Sequence, residues 1–434
     1  MTSDSGHKDR LSQSHPNKWP IVRLSEVVDI LTGFPFKGES YSKSGIRVVR
    51  GENISEGFLR WDSDKRWRFP IAELDSYLLK ESDVVIGMDG SKVGHNKCMI
   101  DREDLPLIFA QRVARLRSKE SLDQTYLYYN ILSNRFLRYV ESIKTGTSIP
   151  HVSSRQILNF EIPLPTVEEQ REIAHLFSSL DSKIKLNQKM NETLESIAQA
   201  IFKHWFIDFE FPNEEGKPYK SSGGEMVDSE LGKIPKGWEI TTVGKCVSVN
   251  GGTTPRTSEL HYWINGTKFW ATPKDLSNLS SPVLINTERK ITVDGLTSIG
   301  DRLFPKGSLL LSSRAPIGYL ALTGIETSVN QGIIAILPNG KLSPFYMYGW
   351  CRANMNLIKD NANGSTFAEI SKSSFRSIKI ILPEKGLLQL YDEIFSKVYT
   401  KMTNSAKQSL VLFNIRDTLL PRLMSGKIRV PLEE

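Results

Sequence analysis

Cysteine is scarce in this chain: Cys98, Cys246 and Cys351 are the only three in 434 residues, far apart and without a CxxC pair. That spacing offers no disulfide framework and no structural zinc site, and it predicts a reducing compartment. Long apolar runs are lacking as well; no stretch approaches the ~18 residues needed to span a bilayer. The first seventeen residues, Met1 to Asn17, are polar. They lack the apolar core of a secretory signal and read as a disordered tail, so a cytoplasmic protein is expected. Catalytic signatures are equally sparse. There is no GxxxxGK[S/T] loop, no Gly-rich methyl-donor loop, no N-P-P-F/Y adenine-methylase tetrad, no HExxH and no close Cys/His cluster. The histidines are scattered, and His204 beside Trp205 reads as a neighbour of a helix seam. One nuclease-like pattern, Asp…Glu-x-Lys, occurs twice: Asp275 precedes Glu288-Arg289-Lys290, and Asp208 precedes Glu215-Gly216-Lys217. Patterns this short arise by chance in most chains of such a size, so a nuclease stands only as an alternative.

What is present begins with size and charge. A chain of 434 residues is too long for one ordinary core, and a formal net charge of +7 suits a polyanionic partner.

The organising feature is an internal repeat. With residue 146 set against residue 364, an offset of 218, TGTSIPHVSSRQILNFEIPLP faces NGSTFAEISKSSFRSIKIILP. Upstream, with small insertions, KWPIVRLSEVV (from Lys18) matches GWEITTVGKCV (from Gly237), LKESDVVIGMDGSKVG (from Leu79) matches FPKGSLLLSSRAPIG (from Phe304), and AQRVARL (from Ala110) matches NQGIIAIL (from Asn330). Each half predicts a short strand, a Gly-rich turn, further strands, a helix around Leu122–Ser142 or Ser343–Asp360, a Gly-Thr/Ser loop, a last strand and a Pro.

After each Pro comes a stripe spaced alternately four and three. The first runs Ile173, Phe177, Leu180, Ile184, Asn187, Asn191, Leu194, Ala198, Ile201, Trp205, with eight of ten positions apolar. The second, 218 residues on, runs Tyr391, Phe395, Val398, Met402, Ser405, Ser409, Leu412, Arg416, Leu419, Leu423, with seven apolar. Length and duplication favour a coiled-coil seam over two ordinary amphipathic core helices. Thr166 with Glu169 reads as a capping box opening the first helix. Both seams turn polar at their centres, at Asn187/Asn191 and Ser405/Ser409. An antiparallel pair about a pseudo-two-fold axis would cluster these four residues, which cost stability but fix register. A parallel pair could also oppose them, and the stretch between Asp208 and Lys236 is long enough for either direction.

That stretch is rich in Gly, Pro, Ser and charge and is expected as an exposed linker. Helices of about 40 residues would each be about 60 Å long. Two similar globular units at opposite ends of such a strut would touch a duplex at half-sites roughly one to two helical turns apart. Because the units differ at most positions, they should read different bases across an unread spacer.

This organisation resembles the specificity subunit of type I restriction–modification enzymes, over nearly the whole chain from Lys18 to Ile428. Its most specific carriers are PLPTVEEQREIAHLF (from Pro163), LESIAQAIFKHWFIDFE (from Leu194), KIPKGWEITTVG (from Lys233), GGTTPRTSE (from Gly251) and LFNIRDTLLPRLMSGKI (from Leu412). The second helix departs from the pattern, with ILP for PLP and Lys385-Gly386-Leu387-Leu388 in place of the E-E-Q opening. The resemblance implies an α+β fold: two target-recognition domains of mixed sheet and helix, and two long helices in an antiparallel coiled coil with pseudo-two-fold symmetry. The expected division is a tail at 1–17, recognition domains at 18–165 and 237–383, helices at 166–210 and 384–428, and a linker at 211–236. It further implies a chain without its own catalytic centre or cofactor, which directs two modification subunits that carry S-adenosylmethionine and methylate adenine N6. Restriction subunits using ATP and Mg would add translocation and cleavage. The remaining alternative is a scaffold whose coiled coil binds only proteins; steep salt dependence of duplex binding would exclude it.

Base edges are read by forked donors and amides, Arg or Lys on guanine and Asn or Gln on adenine. Candidates in the first half are Lys37, Arg47, Arg50, Asn53, Ser91, Lys92, His95, Lys97 and Arg112; in the second, Thr253, Thr254, Arg256, Lys274, Ser313, Arg314, Asn330 and Gln331. The Gly-Thr/Ser loops add Lys144, Thr147, Ser148, Ser365 and Thr366, suited to phosphate. Arg314, matched by spacing to Gly90, is the first choice: Arg314→Ala should relax one base position at a cost of about 1–3 kcal/mol. Trp61, Trp67, Trp263 and Trp270 could wedge against sugars, with core packing the commoner role for such residues.

Overall fold

A computed structural model describes residues 19–68, 74–146, 149–314, 316–364 and 368–431. The tail expected over 1–17 lies outside the described residues, as do Thr147, Ser148, Ser365 and Thr366. The chain divides into two compact units, one formed by Met1–Ser182 with Leu412–Glu434 and the other by Lys183–Val411. Each of the two long helices, Val167–Phe202 and Lys385–Leu423, contributes to both units.

The repeat seen in the sequence is a repeat of topology. In the first unit, strand Ile21–Arg23 pairs antiparallel with Glu161–Pro163; in the second, Glu239–Thr242 pairs antiparallel with Lys379–Leu382. The first unit has a four-stranded antiparallel sheet ordered Val28–Thr32, Val113–Ser118, Val84–Gly87, Lys97–Met99. The second repeats the order as Val249–Gly251, Ile333–Ile336, Leu309–Ser312, Leu320–Thr323 and adds a parallel edge at Val283–Leu284. Beside each lies a three-stranded sheet with one antiparallel and one parallel neighbour: Ile46–Val49 between Arg66–Trp67 and Leu107–Phe109, and Lys268–Ala271 between Arg289–Ile291 and Thr327–Val329.

Alternation of side chains along a strand explains why the central strands read as unbroken apolar runs. Val84 and Ile86 enter one core and Val85 the other; Leu309 and Leu311 against Leu310 do the same. The single helix expected near 122–142 is two, Gln124–Leu132 and Asn134–Ile143, because Ser133 adopts an extended conformation and caps the second by accepting from Phe136 N at 3.3 Å. Its counterpart, Pro344–Ala353 followed by Met355–Asp360, breaks at Asn354. In both units a tyrosine hydroxyl from the first of these helices donates to the chain at the last strand, Tyr126 to Pro163 O at 3.1 Å and Tyr346 to Ile381 O at 3.3 Å.

The two long helices run antiparallel, and the pairing is visible inside each unit. In the first, Arg416 reaches Asp181 at 2.8 Å, and Ile173 and Phe177 share a core with Leu420, Leu423 and Met424. In the second, Asn187 Nδ2 donates to Ser409 Oγ at 3.2 Å and Gln408 Oε1 at 3.0 Å, and Asn191 Nδ2 to Met402 O at 3.4 Å. Ser405 turns its hydroxyl onto Lys401 O. Every position of both stripes is buried or half-buried. Arg416, a charged intruder in its stripe, is accommodated by Asp181, which also accepts from the Tyr129 hydroxyl at 2.9 Å.

Two local expectations are corrected. Thr166 does cap the first long helix, accepting from Glu169 N at 3.3 Å, but the Glu169 carboxylate receives the Trp19 indole at 3.0 Å and the Arg429 guanidinium at 2.8 Å. The stretch 211–236 is more than an exposed connection. It forms a hairpin, Met226–Ser229 with Gly232–Pro235; Phe211 and Ile234 are buried, and Phe211 stacks on Trp238 at 5.2 Å. Its Gly, Pro and Ser residues mark the turns, while a few spaced hydrophobes anchor it.

Candidate nucleic-acid interface

In the first unit a cleft of about 540 Å³ gathers part of the expected set. Its walls come from the loop after Thr32 (Phe34, Phe36, Tyr41), the turn at Arg50–Glu52, the Gly-rich turn at Asp89–Lys92, and Gln111 and Arg112 before the central strand. Arg50, Ser91, Lys92 and Arg112 were expected from sequence; Tyr41, Arg60, Asp89 and Gln111 were missed, although Gln111 is an exposed amide of the type sought. The turns bring these groups together because Gly90 and Gly94 hold positive φ of 93° and 90°, which side-chain-bearing residues resist. Arg112 pairs with Asp89 at 3.4 Å and Arg50 with Glu52 at 2.8 Å, so the guanidiniums are oriented while remaining accessible. Burial pushes the Tyr41 hydroxyl pKa up, against the pull of Arg50, which keeps it a neutral donor.

Lys37, His95 and Lys144 are exposed but do not line this cleft, and His95 faces Glu56 at 3.7 Å. Arg47 is half-buried, between Asp64 at 3.4 Å and the Trp61 ring at 4.8 Å. Two expectations fail on burial. Asn53 is 1% exposed and spends its amide inside its turn, accepting from Arg50 N and donating to Arg60 O and Ser63 O. Lys97 is buried in its strand, 3.8 Å from Glu56 and 5.7 Å from the Phe136 ring centroid, and burial holds its ammonium pKa below the usual value. Both residues sit in strand or turn positions that face inward, which residue type alone does not reveal.

The second unit carries the equivalent rim. Ser313 is buried, its backbone held by Gly332 and Ile370, so it is no reader. Arg314 is half-exposed and pairs with Glu369 at 3.6 Å. Its structural counterpart is Asp89 rather than Gly90, because Asp89 bridges His151 just as Arg314 bridges Glu369. Thr253, Arg256 and Gln331 are exposed; Thr254 donates its hydroxyl to Gln331 Oε1, and Asn330 Oδ1 accepts from Gly332 N. Lys274 is exposed and paired with Glu288 at 2.7 Å. The tryptophans mainly pack: Trp67 against Phe36 at 4.8 Å, and buried Trp270 edge-on to Trp263 at 5.1 Å, with Arg289 over Trp263 at 3.5 Å.

The nuclease-like pattern does not assemble. The Asp275 carboxylate accepts from Thr272 N at 2.8 Å, Thr272 Oγ1 at 2.6 Å and Glu288 N at 2.7 Å, a capping role. Asp208 is engaged by Lys203, and Glu215 by Lys217. Among the described residues no group of three or more His, Cys, Asp or Glu side chains is arranged to hold a metal ion, and no helix is long and apolar enough to cross a membrane.

A duplicated α+β unit with a polar, arginine-bearing rim and a pair of antiparallel helices defines a modular reader. The model of the type I restriction modification DNA specificity domain matches residues 16–196 and again residues 235–411, and the chain belongs to this family. The MjaIX specificity subunit of Methanocaldococcus jannaschii is 29% identical over 333 residues, covering 75% of this chain and 74% of that one. The HindI specificity subunit of Haemophilus influenzae is 25% identical over 358 residues, covering 70% and 77%. Among solved structures, the S subunit of a type I restriction–modification system from M. genitalium has the same fold, with a TM-score of 0.58 at 16% identity, over 95% of this chain and 98% of that one.

Proposed function

We propose that this chain gives a type I restriction–modification complex its DNA address, each unit reading one half of a bipartite, asymmetric site. The observation that carries the reading is one topology written twice with different rim chemistry: Asp89, His151 and Arg112 in one unit stand where Arg314, Glu369 and Gly332 stand in the other. Like scaffolds favour the same mode of docking, and unlike rims favour different bases. Two modification subunits would cover the paired helices, whose surfaces expose Leu186, Ile197, Val411 and Ile415. Those partners would supply S-adenosylmethionine and methylate adenine at N6; restriction subunits would bring ATP and Mg for translocation and cleavage, all in the cytoplasm where the DNA lies. The chain contributes the address and the partners the chemistry.

The test is adenine-methylation mapping of the source genome with and without the gene. One two-part motif should disappear on deletion. A methylome that is unchanged sinks the reading.

A further inference from the structure

In each unit one arginine and one carboxylate meet at the equivalent place on the rim, but the chain supplies them from different segments. In the first, Asp89 follows strand Val84–Gly87 and pairs with Arg112 at 3.4 Å. In the second, the residue two beyond the matching strand Leu309–Ser312, as Asp89 is two beyond Gly87, is the arginine, Arg314, and Glu369 supplies the carboxylate at 3.6 Å. The position of Arg112 becomes Gly332, and a Cβ there would lie 3.3 Å from Arg314 Nε, so the Arg314 side chain passes over the room that a side chain at 332 would need. Neighbouring bonds repeat around both pairs: Val152 N donates to Met88 O at 2.9 Å, and Ile370 N to Ser313 O at 3.0 Å. An exposed glutamine, Gln111 or Gln331, stands beside each pair.

All four charged side chains remain open to solvent, from 29% for Asp89 to 65% for Arg112. Neither pair is buried structural ballast; exposed pairs of this kind contribute little to stability. Each couple instead presents forked donors and an acceptor side by side. A G·C pair offers the complement in the major groove, with O6 and N7 accepting on guanine and the N4 amino group donating on cytosine.

We infer that Arg112 with Asp89, and Arg314 with Glu369, are equivalent base-pair readers, each specifying one G·C pair in its own half of the site. The guanidinium donates to guanine O6 and N7, and the carboxylate orients it and accepts from cytosine N4. This inference rests on the DNA-reading role proposed above and adds to it the identity of one base pair in each half and the need for the carboxylates.

The test replaces the gene in the source cell with R112A, D89A, D89N, R314A, E369A or E369Q and maps adenine methylation. Each Ala variant should lose roughly 10- to 100-fold of discrimination at a single G·C position. R112A and D89A should relax the same position in one half, and R314A and E369A the same position in the other. Asn and Gln keep an acceptor and should weaken discrimination less than Ala. An unchanged motif, a relaxed position that is not G·C, or carboxylate and arginine variants acting on different positions each overturns the inference. So does a uniform loss of methylation in the Asn and Gln variants, which marks a structural role. In all these cases the wild-type motif still vanishes on deletion, so failure here is distinct from failure of the DNA-reading role itself.

Discussion

At the residue scale, the direction in which a side chain leaves its strand or turn decides what it can touch. Arg112, Lys92 and Arg314 reach the rims, while Asn53, Lys97 and Ser313, chosen on the same grounds, turn inward. The alternation of a strand decides this for Lys97, whose neighbour Cys98 enters the opposite core and left no polar marker. Residue type marks the cations that can read a base edge, but not the carboxylates, Asp89 and Glu369, that pair with them. Lys97 leads to a pH prediction. Its pKa in the folded chain is lowered, chiefly by burial, so over the window between that value and about 10.5 the unfolded chain binds more protons than the folded one. Stability due to this group therefore rises with pH through the window, as the charged form that burial penalises is neutralised. Lys97→Met should raise Tm at pH 7, and the advantage over wild type should shrink as pH is raised toward 10. A constant difference across that range, measured by thermal melts, would show that the ammonium is not the source.

At the element scale, the long helices were the most legible feature, since a seam sustained over several heptads and duplicated at one offset has few other physical meanings. Their direction was not legible; it emerges from Asp181 meeting Arg416 and Asn187 meeting Ser409. The hairpin within 211–236 escaped because its anchors, Phe211 and Ile234, lie among turn-forming residues. The polar centre of the seam carries a cost: Asn187 Oδ1 and Asn191 Oδ1 are buried without partners among the described residues. Each orphaned acceptor costs about 1–3 kcal/mol, and the return for such sites is a fixed register. Asn187→Leu with Asn191→Leu should therefore stabilise the folded chain by on the order of 1–3 kcal/mol, net of the donor bonds that are lost, and so raise Tm, while loosening the register. Cysteines introduced one heptad out of the native pairing should cross-link in the double variant and not in the parent. A fall in Tm would mean that the amide donors to Ser409 and Met402 outweigh the orphaned oxygens.

At the scale of the whole molecule, duplication separates the scaffold from the reading. Strand orders, parallel and antiparallel partners and the tyrosine ties at Pro163 and Ile381 repeat, while rim residues diverge. A scaffold preserved in this way should accept either set of rims. A chain in which residues 237–383 are replaced by a second copy of residues 18–165 keeps apolar positions that face the long helices, because Tyr129 packs on Phe177 in the first unit as Tyr348 packs on Phe395 in the second. Expressed with its partner subunits, this chain should direct methylation to a motif whose two halves are the same sequence. Its binding should keep the steep salt dependence of phosphate contacts, losing about 10³–10⁵ in affinity between 50 and 200 mM salt if 6–10 phosphates are neutralised. Retention of two unlike halves would show that the address is not carried by the exchanged segment. Binding that ignores salt would return the protein to the class of coiled-coil scaffolds.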